Sequence, residues 1–177
     1  ALTLGMPFAK VVDALSAAPG IKGRAEIVPT GRDFTVVIDY AHTPDGLENI
    51  CKTMKACTTG RLLTVFGCGG DRDKGKRPLM GATAAKYSDF LVVTSDNPRT
   101  EEPDAIIRDI LAGLRDTGTP YEVVENRTQA IRFAMKNARP GDIVLLAGKG
   151  HETYQILADG VIHLDEREVV AEALKEE

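Results

Sequence analysis

Phe90-Leu91-Val92-Val93-Thr94 runs directly into Ser95-Asp96-Asn97-Pro98-Arg99. The first five residues form an apolar run of strand length, the pattern of a strand covered on both faces. From Pro103 onward, Ile106, Ile107, Ile110, Leu111 and Leu114 recur at helical spacing. Buried strand, polar turn and amphipathic helix make a βα unit. In open α/β sheets, ligands bind at the carboxyl ends of such strands. The turn carries recognition chemistry: Arg99 offers a planar fork of donors for a carboxylate or phosphate, Asn97 a donor and an acceptor, and Pro98 a stiff backbone between them. Taken alone, the same five residues also describe a βα turn in which Asp96 or Asn97 caps the next helix. The other loops change that balance.

Working outward, the alternation continues. Residues 26–29 and 34–40 read as strands joined by the turn Thr30-Gly31-Arg32-Asp33. Helical patterns at 44–56, 76–87, 103–114 and 128–137 separate strand patterns at 62–66, 90–94, 121–125 and 143–147. Residues 154–157 and 161–164 pair as a hairpin around Asp159-Gly160, and a last helix covers 166–174. Strands alternating with helices predict an α/β fold: a Rossmann-like, doubly wound, mostly parallel sheet with helices on both faces. The start differs. Residues 6–18 read as a helix with Val11, Val12 and Leu15 apolar, broken at Pro19-Gly20. The chain opens on Ala1 rather than Met, which reads as part of something longer.

Composition narrows the function classes. The 177 residues are 43% hydrophobic and 27% charged, enough for one well-cored domain with an appendage. A net charge of -4 leaves no footprint for nucleic acid, and the absence of Trp argues against base-stacking platforms. Cys51, Cys57 and Cys68 form no CxxC pair, so they fit a reducing, cytoplasmic setting better than a disulfide framework. No apolar run reaches bilayer-spanning length, and no signal peptide opens the chain.

If the strands are parallel, the loops after them share one edge. Four are unusual: Asp39-Tyr40-Ala41-His42-Thr43-Pro44-Asp45, the Gly-rich run from Gly67 to Pro78, Ser95-Asp96-Asn97-Pro98-Arg99, and Gly148-Lys149-Gly150-His151-Glu152. Gly70 to Lys76 matches the GxxxxGK spacing of a phosphate loop, but Arg77 stands where a magnesium-binding Ser or Thr belongs. The segment reads instead as a turn presenting Arg72; Lys76 reads as a solvated charge near a helix start, and for Arg77 that reading stays open beside a role at the sheet edge. His42, Asp39 and Cys68 lack zinc-site spacing. In the fourth loop Glu152 suits an ammonium and Gly148 a carbonyl contact. Lys149 is a phosphate contact or a surface charge, and His151 reads as a hydrogen-bonded structural histidine rather than an acid or base. His163, in a late strand, needs no special role. Arg72, Arg99, Asn97, Gly148 and Glu152 together supply cations for carboxylates and an anion for an amine, which describes a pocket for an amino-acid zwitterion.

These four loops, in this order, resemble signatures of the C-terminal domain of the Mur ligases, and the resemblance covers essentially the whole chain. Pro19-Gly20-Ile21-Lys22-Gly23-Arg24-Ala25-Glu26 resembles the segment leading in from the central ATPase domain, with Ala25 where the family commonly has Met. Asp96-Asn97-Pro98-Arg99 is similar to the motif of members that add meso-diaminopimelate; lysine-adding members usually differ at the Arg. The resemblance implies that residues 1–25 are the tail of the preceding domain and a linker, and 26–177 the amino-acid-binding domain. It implies an ATP-dependent ligase of peptidoglycan synthesis in which UDP-MurNAc-L-Ala-D-Glu is activated as an acyl phosphate and attacked by an amine of diaminopimelate. ATP and Mg2+ would be held mainly by the central domain, outside this chain, so the chain alone would not ligate. Arg72, Asn97 and Arg99 would bind diaminopimelate carboxylates, Gly148 and Glu152 its non-reacting amine, and Asp96 and Pro98 would shape the loop. Arg24 and Asp39 would face the nucleotide, toward phosphate and ribose. Three other readings stay open: a non-catalytic amino-acid-binding module, a related amide ligase of the lysine-adding or folylpolyglutamate type, and a nucleotide-dependent oxidoreductase. The last lacks a GxGxxG turn after a first strand.

Overall fold

The computed structural model describes residues 1–18 and 20–176. After a 3-10 turn at Leu2–Leu4, the elements run α1 (Phe8–Ser16), β1 (Glu26–Val28), β2 (Thr35–Asp39), α2 (Pro44–Cys57), β3 (Leu62–Phe66), α3 (Lys76–Tyr87) and β4 (Phe90–Val93). They continue with α4 (Pro103–Leu111), β5 (Tyr121–Val123), α5 (Arg127–Lys136), β6 (Ile143–Ala147), β7 (Tyr154–Leu157), β8 (Gly160–His163) and α6 (Glu166–Ala173). β1 to β6 form one sheet in the order β1-β2-β6-β3-β4-β5, in which β1 alone is antiparallel to its neighbour. β7 and β8 form a separate antiparallel hairpin. This is the doubly wound, mostly parallel sheet that the alternating pattern predicts.

β3 and β6 are buried at every position because helices cover both sheet faces. Side chains alternate across the pleat. Val37, Leu62, Leu91 and Leu145 face the helices α2, α3 and α4, while Val36, Ile38, Leu63, Val92 and Leu146 face α5 and α6. α2 shows how the sequence sets a helix. Thr43 caps it by accepting from the Gly46 N–H, Pro44 fills its first turn, and Leu47, Ile50, Cys51 and Met54 form its buried stripe. α4 stops at Leu111, short of the predicted 114. A Cβ on Gly113 would lie 1.9 Å from the Pro78 carbonyl oxygen, so the chain leaves the helix where two backbones must touch. Most other boundaries lie within one or two residues of the pattern. The break expected at Pro19-Gly20 falls partly on Pro19, outside the described residues.

α1 buries none of its residues, and Leu2, Leu4, Phe8 and Leu15 are all exposed. No helix is long and apolar enough to cross a membrane among the described residues.

The strand order places the site. The chain moves from β3 to β4 to β5 through α3 and α4 on one face, then returns through α5 on the other face to insert β6 between β2 and β3. Beyond β6 it continues into the hairpin and α6, while the chain beyond β3 enters α3 on the opposite face. The two loops therefore part at the β6/β3 boundary and leave the crevice in which doubly wound sheets bind ligands.

Candidate functional site

A cleft of about 250 Å³ opens at that crevice, lined by Tyr40, His42 and Thr43 after β2, Gly69, Arg72 and Lys76 after β3, Asp96, Asn97 and Arg99 after β4, and Gly148 and Glu152 after β6. The structure thus brings Arg72, Asp96, Asn97, Arg99, Gly148 and Glu152 to one concavity from three separate loops.

The loop after β4 is fastened from two sides. The β7 strand backs it. The Arg99 N–H donates to the Ile156 carbonyl (3.1 Å), the Ile156 N–H donates to Asn97 Oδ1 (3.0 Å), and buried Gln155 donates to the Asp96 carbonyl. From the β3 side, the Gly70 N–H donates to the Asn97 carbonyl (2.8 Å) and Arg99 Nη1 donates to the Gly70 carbonyl (2.8 Å). A Cβ at Gly70 would sit 1.8 Å from the Pro98 carbonyl oxygen, so this contact needs glycine. Pro98 does not line the cleft; its carbonyl is the surface against which Gly70 packs. Arg99 adopts φ 54, a left-handed conformation costing about 1–2 kcal/mol for a side-chain-bearing residue. The bonds to Ile156 and Gly70 hold it there.

Three buried or cleft-lining cations depart from their sequence readings. Arg77 is fully buried rather than solvated. Its guanidinium donates to Glu101 Oε1 and Oε2 (2.8 and 3.0 Å) and to Asp109 (2.9 Å). The hydrogen bond from Arg77, joined by that from the Asp71 N–H, holds the Glu101 carboxyl down at about 2. Through Glu101 and Asp71, the Arg72-bearing loop is tied to Thr100, next to Arg99. Lys76 lines the cleft and turns its ammonium to the His42 carbonyl (2.8 Å). Lys149 is neither a surface charge nor placed for a phosphate, because its side chain is fully buried. It donates to Asp96 Oδ1 (3.2 Å), Asn97 Oδ1 (3.0 Å) and Glu152 Oε2 (3.1 Å). Sequence reasoning missed this role. The available signal was Lys149 held between two glycines directly after a fully apolar strand, where the chain has not yet left the sheet edge.

His151 departs as well. It is exposed, with its ring against Tyr40 (5.1 Å between centroids) and no hydrogen bond to it among the described residues. His163 bonds Glu168 (2.6 Å), far from the cleft in sequence and outside its lining. Cys68, beside the cleft, is pushed up to about 12 by burial, which makes it an inert thiol at neutral pH.

Arg24 and Asp39 lie next to the cleft but do not line it. Both Asp39 oxygens accept backbone amides: Oδ2 from Ala25 (2.7 Å) and Oδ1 from Ala41 (2.8 Å). Asp39 thereby ties the incoming segment to the end of β2. The Arg24 guanidinium lies over the Tyr40 ring, 4.9 Å from its centroid. Among the described residues, no group of three or more His, Cys, Asp or Glu side chains converges to hold a metal ion.

The cleft carries two guanidinium donors, Arg72 and Arg99, and a carboxylate acceptor, Glu152. Residues 23–150 match the family described as "Mur ligase, glutamate ligase domain". A UDP-N-acetylmuramoyl-L-alanyl-D-glutamate--2,6-diaminopimelate ligase from Caldanaerobacter subterraneus subsp. tengcongensis is 57% identical over 173 residues, covering 98% of this chain and 36% of that protein. The corresponding ligase 1 of Clostridium acetobutylicum is 54% identical over 177 residues, covering 99% of this chain and 36% of that protein. A solved structure of a UDP-N-acetylmuramoyl-L-alanyl-D-glutamate--2,6-diaminopimelate ligase superposes with a TM-score of 0.83 at 39% identity, over 98% of this chain and 36% of the other. The chain thus spans about a third of the length of the relatives it matches. On the family match, with the fold and loop order in agreement, the chain belongs to the Mur ligases, as their glutamate ligase domain.

Proposed function

We propose that this chain is the amino-acid-receiving domain of an ATP-dependent ligase that adds meso-diaminopimelate to UDP-MurNAc-L-Ala-D-Glu during peptidoglycan synthesis. One observation carries the reading: Arg72, Asn97, Arg99, Gly148 and Glu152, each matched to one end of a diaminopimelate zwitterion, line a single cleft at the switch point of the sheet. Arg72 and Arg99 bind carboxylates, Asn97 adds an amide donor, and Glu152 with the Gly148 carbonyl receives the ammonium of the non-reacting end. Asp96 and Pro98 shape that wall. The other amine is left to attack the acyl phosphate of the D-glutamate side, forming the amide and releasing phosphate. This chain's contribution is to orient that amine, which lowers the entropic part of the barrier.

ATP and Mg2+ are assigned to the portion of the ligase this chain does not include, with Arg24 and Asp39 facing the nucleotide from this side. Residues 1–25 are assigned to the tail of the preceding domain and its linker, in keeping with the exposed apolar side chains of α1 and the preceding turn. A cytoplasmic location accords with the three free cysteines and with ATP as a substrate. On its own the chain does not turn over; ligation by the isolated domain supplied with ATP and both substrates would contradict that assignment.

Arg99 gives the sharpest test. Diaminopimelate exceeds lysine by one carboxylate, and a site built for a charged group rejects its absence by about 10⁴-fold. In the intact ligase, Arg99→Ala should raise the diaminopimelate KM by about 100-fold, erode discrimination against lysine and leave the ATP KM nearly unchanged. Equal losses for both substrates would refute the assignment.

A further inference from the structure

Lys149 touches three residues that line the cleft without lining it itself. Lysine is rarely buried, and here all three of its donors are used, on two carboxylates and one amide oxygen. The ammonium lies 5.8 Å from the centroid of the Tyr154 ring on the hairpin side. Its partners come from two loops: Asp96 and Asn97 after β4, and Glu152 after β6.

The consequence for Asn97 follows from donor counting. Its Oδ1 receives hydrogen bonds from Lys149 Nζ (3.0 Å) and from the Ile156 N–H (3.0 Å). An atom that accepts from two donors is the oxygen, so the amide nitrogen points the other way. Nδ2 donates to Glu152 Oε2 (3.1 Å), which leaves its second N–H for a ligand acceptor. The consequence for Glu152 follows from charge. Its Oε2 is occupied by Lys149 and Asn97, while Oε1 has no partner among the described residues. One ammonium against the two carboxylates of Asp96 and Glu152 leaves this wall a single net negative charge, the complement of one ligand ammonium. Without it, two carboxylates converge on an empty position and repel.

Resting on the proposed function, we infer that Lys149 is a positioning residue for the amino-acid site. It fixes Asn97 as a donor and Glu152 as a singly charged acceptor from behind the wall, and so sets which end of a zwitterion that wall receives.

The test uses the intact ligase and steady-state kinetics with meso-diaminopimelate, ATP and the UDP-sugar peptide. Lys149→Met should raise the diaminopimelate KM about 10- to 100-fold, the range for losing hydrogen bonds to a charged group, with kcat and the ATP KM within about threefold of wild type. Asp96→Asn added to Lys149→Met returns the wall to one negative charge and should recover severalfold in KM. A packing role predicts no recovery in that double variant, and that result would overturn the inference. So would an unchanged KM in Lys149→Met, or parallel losses in kcat and both KM values. Lys149→Gln, which keeps a donor without the charge, should show the same KM-specific loss if Lys149→Met folds poorly. Failure of both variants to fold, read by thermal melting, would also overturn it in favour of a purely structural residue. Wild-type enzyme that does not use diaminopimelate would overturn the functional reading and this inference together, whereas wild-type use with an indifferent Lys149→Met would overturn this inference alone.

Discussion

Beneath the cleft, Arg127 and Glu166 form an ion pair in which both side chains are fully buried. Arg127 Nε donates to Glu166 Oε1 (2.8 Å), and Nη2 donates to the Ala147 carbonyl (2.9 Å), where β6 hands over to Gly148. The pair is incompletely satisfied, since Arg127 Nη1 and Glu166 Oε2 have no hydrogen-bond partner among the described residues. Arg127 also opens α5, where the helix dipole disfavours a cation, whereas Glu166 opens α6, where an anion is favoured. Arg127→Met strands the Glu166 carboxylate in the interior, and removing one partner of a buried pair costs about 3–5 kcal/mol. For a chain of this size that lowers the melting temperature by roughly 6–20 °C. Replacing both residues, Arg127→Met with Glu166→Met, removes the stranded charge together with the two unpartnered atoms. The double variant should lie within about 1–2 kcal/mol of wild type, the remainder being the lost bond to Ala147. Urea denaturation of the three proteins, compared by midpoint at constant m, measures this directly. A single variant that loses under about 1 kcal/mol, or a double variant no more stable than the single, would refute the reasoning.

Two further outcomes follow from the loops. Gly70→Ala places a methyl 1.8 Å from the Pro98 carbonyl oxygen and displaces the bonds from Gly70 to Asn97 and from Arg99 to Gly70. About 1 kcal/mol for each hydrogen bond and 1–3 for overpacking give a loss of about 3–5 kcal/mol by urea denaturation, with weaker diaminopimelate binding by calorimetry; wild-type values in both would be incompatible with that packing. Glu101 is held at about 2 by Arg77, so its contribution to stability is present above its unfolded value near 4.3 and is lost as pH falls toward 2. The melting-temperature gap between wild type and Glu101→Gln should therefore be full at pH 6 and close as pH approaches about 2; a gap that is constant with pH would show that the charge is not what matters.

The fold was legible because its signals are local. Continuous apolar strands such as 62–66 and 143–147, and the buried stripe of α2, need no knowledge of distant partners. The cleft was legible by a second route. Parallel strands send their following loops to one edge, so unusual composition in four loops implied one site. Buried cations were not legible. Lys149 meets Asp96 across 53 residues, Arg77 meets Glu101 across 24, and Arg127 meets Glu166 across 39. A lysine or arginine in isolation reads as solvated, because its burial is affordable only with carboxylates that the chain brings from elsewhere. His151 failed in the opposite sense: a polar loop residue read as anchored is exposed against Tyr40.

The topology accounts for the polarity of the site as well as its position. Arg72 and Arg99 sit after neighbouring strands, β3 and β4, and the loops that carry them are bonded through Gly70, Asp71 and Glu101. Glu152 arrives from β6, which enters the sheet only after the chain has crossed to the far edge and returned. Cations and anion are therefore carried by different loops: Arg77 braces the β3 and β4 loops, Lys149 and Asn97 join the β4 loop to Glu152, and Arg127 holds the carbonyl one residue before Gly148. A change that moves Asn97 therefore reaches Glu152 directly, whereas the Arg99 side chain bonds the Gly70 and Asn97 carbonyls and can be replaced without breaking a bond to Glu152. On the proposed function, replacing Arg99 should therefore alter which amino acid is accepted while the bonds from Asn97 and Lys149 to Glu152 persist, and damage to the Arg77 brace should fall on carboxylate recognition before it reaches the amine end.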